Sequence, residues 1–177
     1  MAPTAPTNTD RFYLHYTVSS LAHTLLMRTN GSITPAEAST VFSELLTLLD
    51  ANLYTLDITG MEFSAAGSNV RNPVAYTGDT EVGAGTAIDS LTRAQAIVFT
   101  GRDQSGHAIR LFIYGAKGIS DGDYRTSEGE NSAVDAALDY LAALSGYFMT
   151  VGAFQPVWHR YANITIPIHW QKKLRTV

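Results

Sequence analysis

This chain of 177 residues contains no cysteine, which removes disulfide frameworks and thiolate chemistry from consideration. Charge is scarce as well. Asp, Glu, Lys and Arg make up 16% of the residues against a usual share of about 25%. The net charge is −4, and an acidic chain is not expected to bind nucleic acid specifically. No apolar run approaches the ~18 residues of a membrane span, and the N-terminus has neither the basic region nor the apolar stretch of a signal peptide. Synthesis in the cytoplasm of the producing cell is therefore the expectation.

Hydrophobic residues are 45% of the chain, ample for one domain with a real core. Thr, Ser, Gly and Asn fill the place of the missing charges. Such a surface suits a protein covered by neighbours, and it equally suits an exposed β-sheet.

Residues 1–10 have no apolar periodicity, and Pro3 and Pro6 remove backbone donors and favour extended chain. They read as an N-terminal arm that docks on another protein surface. A domain over 11–154 follows. Residues 155–177 form an aromatic, basic C-terminal tail that packs on the domain or on a neighbour.

Within the domain, Phe12, Leu14, Tyr16 and Val18 alternate with Tyr13, His15 and Thr17, which is the period of a half-buried strand. A second strand covers residues 21–28 and ends at Asn30-Gly31. Thr34, Pro35 and Glu37 spell a helix start with a capping box. Ala38, Val41, Phe42, Leu45 and Leu49 then recur at helical spacing. Residues 54–63 read as a strand with a possible bulge at Gly60, and residues 67–86 as a long, exposed, glycine-rich loop. Residues 93–101 and 107–115 form a hairpin whose two faces are both largely apolar, which places it centrally with cover on both sides. A second capping box at Ser127 and Glu130 opens a second helix with the stripe Val134, Ala137, Leu138, Leu141 and Leu144, closed by Gly146. Residues 147–154 suit a short strand. The order ββ-α-β-ββ-α-β predicts an α+β fold: a mostly antiparallel sheet packed by two α-helices, with the arm and the tail at its ends.

Motifs with chemical potential are few. Gly118-Ile-Ser120-Asp121-Gly122 matches G-x-S-x-G, but a polar loop follows it where a nucleophile elbow needs a helix. Asp121, Asp123, Glu128 and Glu130 lie close in sequence, yet Arg125 interrupts the alternation that a calcium loop requires. Acids ahead of a helix favour its dipole, which is the simpler account. Gly83-Ala-Gly85 lacks the third glycine of a dinucleotide fingerprint. The sequons at Asn30 and Asn163 matter only in a secreted eukaryotic protein. None of the five histidines lies three or four residues from another. His15 and His23 are placed to face each other across the first hairpin, without a third ligand in sequence. These readings give no catalytic residues, no metal site and no cofactor, so the chain does not read as an enzyme. The alternative is a small hydrolase or ligand-binding protein using the loop 117–130, with Ser120, Asp121 and a histidine brought together by the fold.

The tail carries Trp158, His159, Arg160, Tyr161, Ile164, Ile166, Ile168 and Trp170, then Lys172, Lys173 and Arg175. Proline at 167 interrupts the alternating isoleucines and marks an edge. Aromatics with arginine are what interfaces enrich, and they also pack onto a domain's own core. The candidate interface residues are Pro3, Pro6, Phe12, Trp158, Arg160, Tyr161, Trp170 and Arg175.

Four stretches then carry a likeness: Phe99-Thr-Gly-Arg-Asp103; Gly106-His-Ala-Ile-Arg-Leu-Phe-Ile-Tyr-Gly115; Asp123-Tyr-Arg125 with Glu128-Gly-Glu-Asn131; and Trp158-His-Arg-Tyr-Ala-Asn163 with Trp170-Gln-Lys-Lys-Leu-Arg175. With His23 to Arg28 as a fainter echo, this half of the chain resembles small virion structural proteins of tailed bacteriophages from aquatic environments, including cyanophage-like ones. The resemblance implies a particle component: a capsid cement or decoration protein, or a neck or tail-ring protein at the head–tail connection. It implies a homo-oligomer whose partners are copies of itself and other capsid, neck or tail subunits, with no membrane and no specific nucleic acid. The location implied is the virion. The family brings no catalytic residues to carry over.

Overall fold

The computed structural model describes residues 10–29, 33–87, 95–102, 108–117, 132–144 and 157–160. The expected arm at Pro3 and Pro6, the loop 118–131 with Ser120, Asp121, Ser127 and Glu130, the segment 145–156, and the tail residues Tyr161, Trp170 and Arg175 all lie outside them.

Asp10, placed by sequence at the end of the arm, opens the first strand. β1 (Asp10–Val18) and β2 (Leu21–Thr29) pair antiparallel through a two-residue turn. Ser19 and Ser20 both have positive φ, 48° and 68°, the backbone hand that matches strand twist in a tight hairpin. α1 (Pro35–Leu49) follows and runs into a single 3₁₀ turn, Asp50–Asn52. Its capping box forms as read. The Glu37 N–H donates to Thr34 Oγ1 at 3.2 Å, and the Thr34 N–H donates to Glu37 Oε2 at 2.6 Å. The Thr34 N–H and, at 2.9 Å, the Thr34 hydroxyl donate to the Glu37 carboxylate and hold it below the usual carboxylate range.

β3 (Leu56–Ser64) pairs antiparallel with β1. The register slips between His15 and Tyr16, which pair with Gly60 and Ile58, so the bulge sits where Gly60 suggested it. The stretch 67–86 departs from the expected loop. It carries β4 (Asn72–Val74) and β5 (Glu81–Val82), both paired to β3. Strands of three and two residues have no readable period; their partner defines them. Pro73 is tolerated in β4 because that strand is an edge. Between the two, the segment is pinned to α1. The buried Ser39 hydroxyl accepts the Thr77 N–H at 2.8 Å and meets Thr77 Oγ1 at 3.1 Å.

β6 (Gln95–Arg102) and β7 (Ala108–Ala116) form the expected hairpin, with Ile97 opposite Ile113. β8 (Val157–Arg160) lies against the other side of β6, with Trp158 opposite Phe99 and Arg160 opposite Ile97. The first sheet therefore runs β2-β1-β3-β4, with β5 also on β3, and the second runs β7-β6-β8. Among the described residues β6 is the central strand of the second sheet and β7 is not, which corrects the expectation that the whole hairpin is central. β7 pairs on one side with β6 and, among the described residues, is bridged on the other only at Ala116, to Leu53; Phe112 and Tyr114 on it are partly exposed.

α2 (Ser132–Ala143) packs on α1. Val134, Ala137 and Leu141 are buried as the stripe requires. One apolar cluster joins both sheets and both helices. Phe12, Leu14, Tyr16 and Val18 of β1, Phe42 and Leu46 of α1, Leu56 of β3, Phe99 of β6 and Ile113 of β7 are members. The fold is thus α+β, mostly antiparallel. Phe12 was a candidate interface residue; the same alternation that marks β1 turns it into this core. It is fully buried with its ring 5.0 Å from Phe63, and so is not on a surface.

Candidate functional site

The pleat of β1 sends Tyr13, His15 and Thr17 away from the core. Register then decides their neighbours. His15 stands opposite Thr24, and Tyr13 stands between Leu26 and Glu62. His15 and His23 do not face each other, which corrects the expectation. The two-residue turn pairs Tyr16 with His23, so the two histidines fall on opposite faces of the sheet.

On the outer face the polar groups form a chain. Thr24 Oγ1 lies 3.0 Å from His15 Nδ1, and Glu62 Oε2 lies 2.7 Å from His15 Nε2. Arg71 approaches the same carboxylate at 3.9 Å, and its guanidinium sits 4.0 Å above the Tyr13 ring. Tyr13, though on the outer face, is buried under this cation. The order hydroxyl–imidazole–carboxylate is the one used to activate a nucleophile. Here it lies on an open sheet: Thr24 is exposed, as are Ala22 and Arg28 along the same strand. Glu62 divides its charge between His15 and Arg71. The arrangement ties β2, β1 and β3 together across the strands, an exposed-pair contribution of about 0.2–1 kcal/mol.

On the opposite face the His23 ring stacks on Tyr114 at 5.1 Å and lies 5.6 Å from Tyr16, and Tyr114 stacks on Phe112 at 5.8 Å. Burial lowers the His23 pKa below the ordinary imidazole value. This aromatic ladder joins β2 to β7 where the two sheets meet.

At the far end of β3, Asp50 Oδ1 accepts the Gly83 N–H at 2.6 Å. Asp57 and Glu81 stand directly opposite each other in the β3–β5 pair, and both are exposed. Among the described residues no group of three or more histidines and acids is placed to hold a metal ion, and no helix there is long and apolar enough to cross a membrane.

Of the interface candidates, Trp158 and Arg160 have their backbone in β8 of this chain's own second sheet. Sequence reasoning did not single out Glu62 or Arg71, which lie far from His15 along the chain. The readable part of the signal was the outward set Tyr13, His15 and Thr17. Protein-family models, curated proteins and solved structures yield no match to this chain.

Proposed function

We propose that the protein is a structural component of a tailed-phage virion, acting by protein–protein assembly as a capsid cement or decoration protein or as a neck or tail-ring subunit. The sequence resemblance supplies the class. The observation that carries the mode of action is the outer face of the first sheet. Ala22, Thr24 and Arg28 of β2 and Asp57 and Thr59 of β3 are exposed on either side of β1, while the inner face of these strands is sealed by the core. A solvent-facing sheet surface tied across its strands by side-chain pairs is suited to bearing on another subunit. The reading includes no catalytic turnover and no cofactor.

Mass spectrometry of purified particles of the phage that encodes the chain tests the class. The expected result is the chain at a fixed copy number per particle, retained through density-gradient purification. Its absence from intact particles, with abundance in the infected-cell lysate, sinks the reading.

A further inference from the structure

The outer face of the first sheet holds two like-charged cross-strand pairs. Arg11 stands directly opposite Arg28, and Asp57 directly opposite Glu81. Like charges in such positions destabilise a sheet, so each pair costs the folded monomer something. Among the described residues neither pair is neutralised locally. Arg11 donates to neutral acceptors, Ser64 Oγ at 3.5 Å and the Ser68 carbonyl. Arg28 is exposed and makes no ion pair among the described residues. Arg71 adds a third cation beside Tyr13. The acid at that end, Glu62, is shared between His15 at 2.7 Å and Arg71 at 3.9 Å, one carboxylate against three arginines and an imidazole. Asp10 is pleated to the other side and holds the Ala66 N–H at 2.8 Å. The nine residues ahead of Asp10, and Asn30-Gly31-Ser32 beyond β2, contain no acid.

The opposite end is acidic. Asp57 is in register with Thr17 and so shares the outer face with Arg11. Glu81 lies across from Asp57, with the exposed Asp79 just before it. Neither Asp57 nor Glu81 makes an ion pair among the described residues. Six residues of β1 separate the two ends, about 20 Å at strand rise. That exceeds the Debye length of about 10 Å at 0.1 M salt, so the ends do not neutralise each other within one molecule.

We infer that this face is a two-fold interface with a second copy of the chain, in which the Arg11–Arg28–Arg71 end of each protomer meets the Asp57–Glu81 end of the other. A two-fold axis lying between the two faces, across the strands at the level of Tyr13 and His15, closes both contacts at once, because the same patch serves both partners. It also accounts for the two unfavourable pairs, each of which finds its countercharge in the partner. The inference deepens the assembly reading by naming the partner as the chain itself.

Sedimentation velocity on the full chain at about 0.05 and 0.5 M salt is the test. The expected result is twice the protomer mass at low salt, shifting toward the protomer mass at high salt. Arg28→Glu and Glu81→Lys each turn a like-charge pair into an opposite pair. Each is expected to raise the thermal midpoint while weakening the dimer about tenfold, a combination that mere misfolding does not produce. Arg28→Glu/Arg71→Glu and Asp57→Lys/Glu81→Lys are each expected to be monomeric alone and to form a heterodimer when mixed. A chain that stays monomeric at low salt overturns the proposal. So does a dimer indifferent to salt and to both single reversals, or an assembly larger than two copies. These outcomes are separate from presence in the particle, which stands or falls by the composition of purified virions.

Discussion

The Tyr16 hydroxyl accepts the backbone N–H of Tyr114 at 3.0 Å and donates to the Tyr114 carbonyl at 3.3 Å. One side chain of the first sheet thereby takes up both backbone polar groups of Tyr114 in β7, as a neighbouring strand would. Burial pushes the Tyr16 phenol far above its ordinary value. Tyr16→Phe keeps the ring and removes both bonds. A loss of about 1–3 kcal/mol in urea unfolding is expected, and an unchanged midpoint would show that the second sheet is held without this link.

Gly83 makes a close approach that no other residue can reproduce. Its φ is +120°, and a Cβ there would meet the Tyr54 carbonyl oxygen at 2.3 Å. Gly83→Ala is expected to cost about 3 kcal/mol, since the obstruction is backbone and the φ is strained. Gly60, at the bulge, has nothing within 4 Å of the same atom; Gly60→Ala should change stability by less than about 0.5 kcal/mol. Thermal melts of the two variants side by side decide the matter, and equal losses would contradict it.

The hairpin turn is open to improvement. Ser19 and Ser20 hold positive φ of 48° and 68°, which glycine and asparagine adopt at lower cost. Replacing the pair by Asn-Gly is expected to stabilise the fold by about 1 kcal/mol. Chemical denaturation measures it, and a destabilised variant would mean that the serine side chains hold the turn.

Stability should depend on pH through two groups with opposite limbs. His23 has a folded-state pKa below the unfolded one because burial disfavours its charge. Above about 6.5 the imidazole is neutral in both states and costs nothing. As pH falls below that value the unfolded chain takes up the proton first, and stability declines. Tyr16 works at the other end. Its raised folded-state pKa means that the unfolded phenol ionises first as pH rises through about 10, and stability declines there. His23→Phe should flatten the acid limb, and Tyr16→Phe the alkaline one. Unfolding free energies measured across the range check both.

The elements that proved legible in the sequence are those built from near neighbours. The capping box of α1 needs only Thr34 and Glu37, three residues apart. The core face of β1 follows from strict alternation, and the bulge at Gly60 from a glycine inside a strand pattern. The countercase is β4 and β5, too short to carry a period, which exist because β3 offers an edge. Phe12 shows the limit of residue type as a guide. An aromatic beside an extended arm suits an interface, but the alternation of β1 sets Phe12 on the core face, where it is fully buried.

Local chemistry along the chain thus determined the α+β class, both helical stripes and the inward set of β1, because propensity, capping and pleat act over a few residues. Tertiary structure alone decided which distant groups meet. His15 and Glu62 are 47 residues apart, and Tyr16 and Tyr114 are 98 apart. Their contacts depend on a two-residue turn that sets one register and a bulge that shifts another. A slip of one residue in either would send every side chain of that strand to the other face. The like-charged pairs at the two ends of the sheet arise from the same registers, and no reading of either strand by itself reveals them.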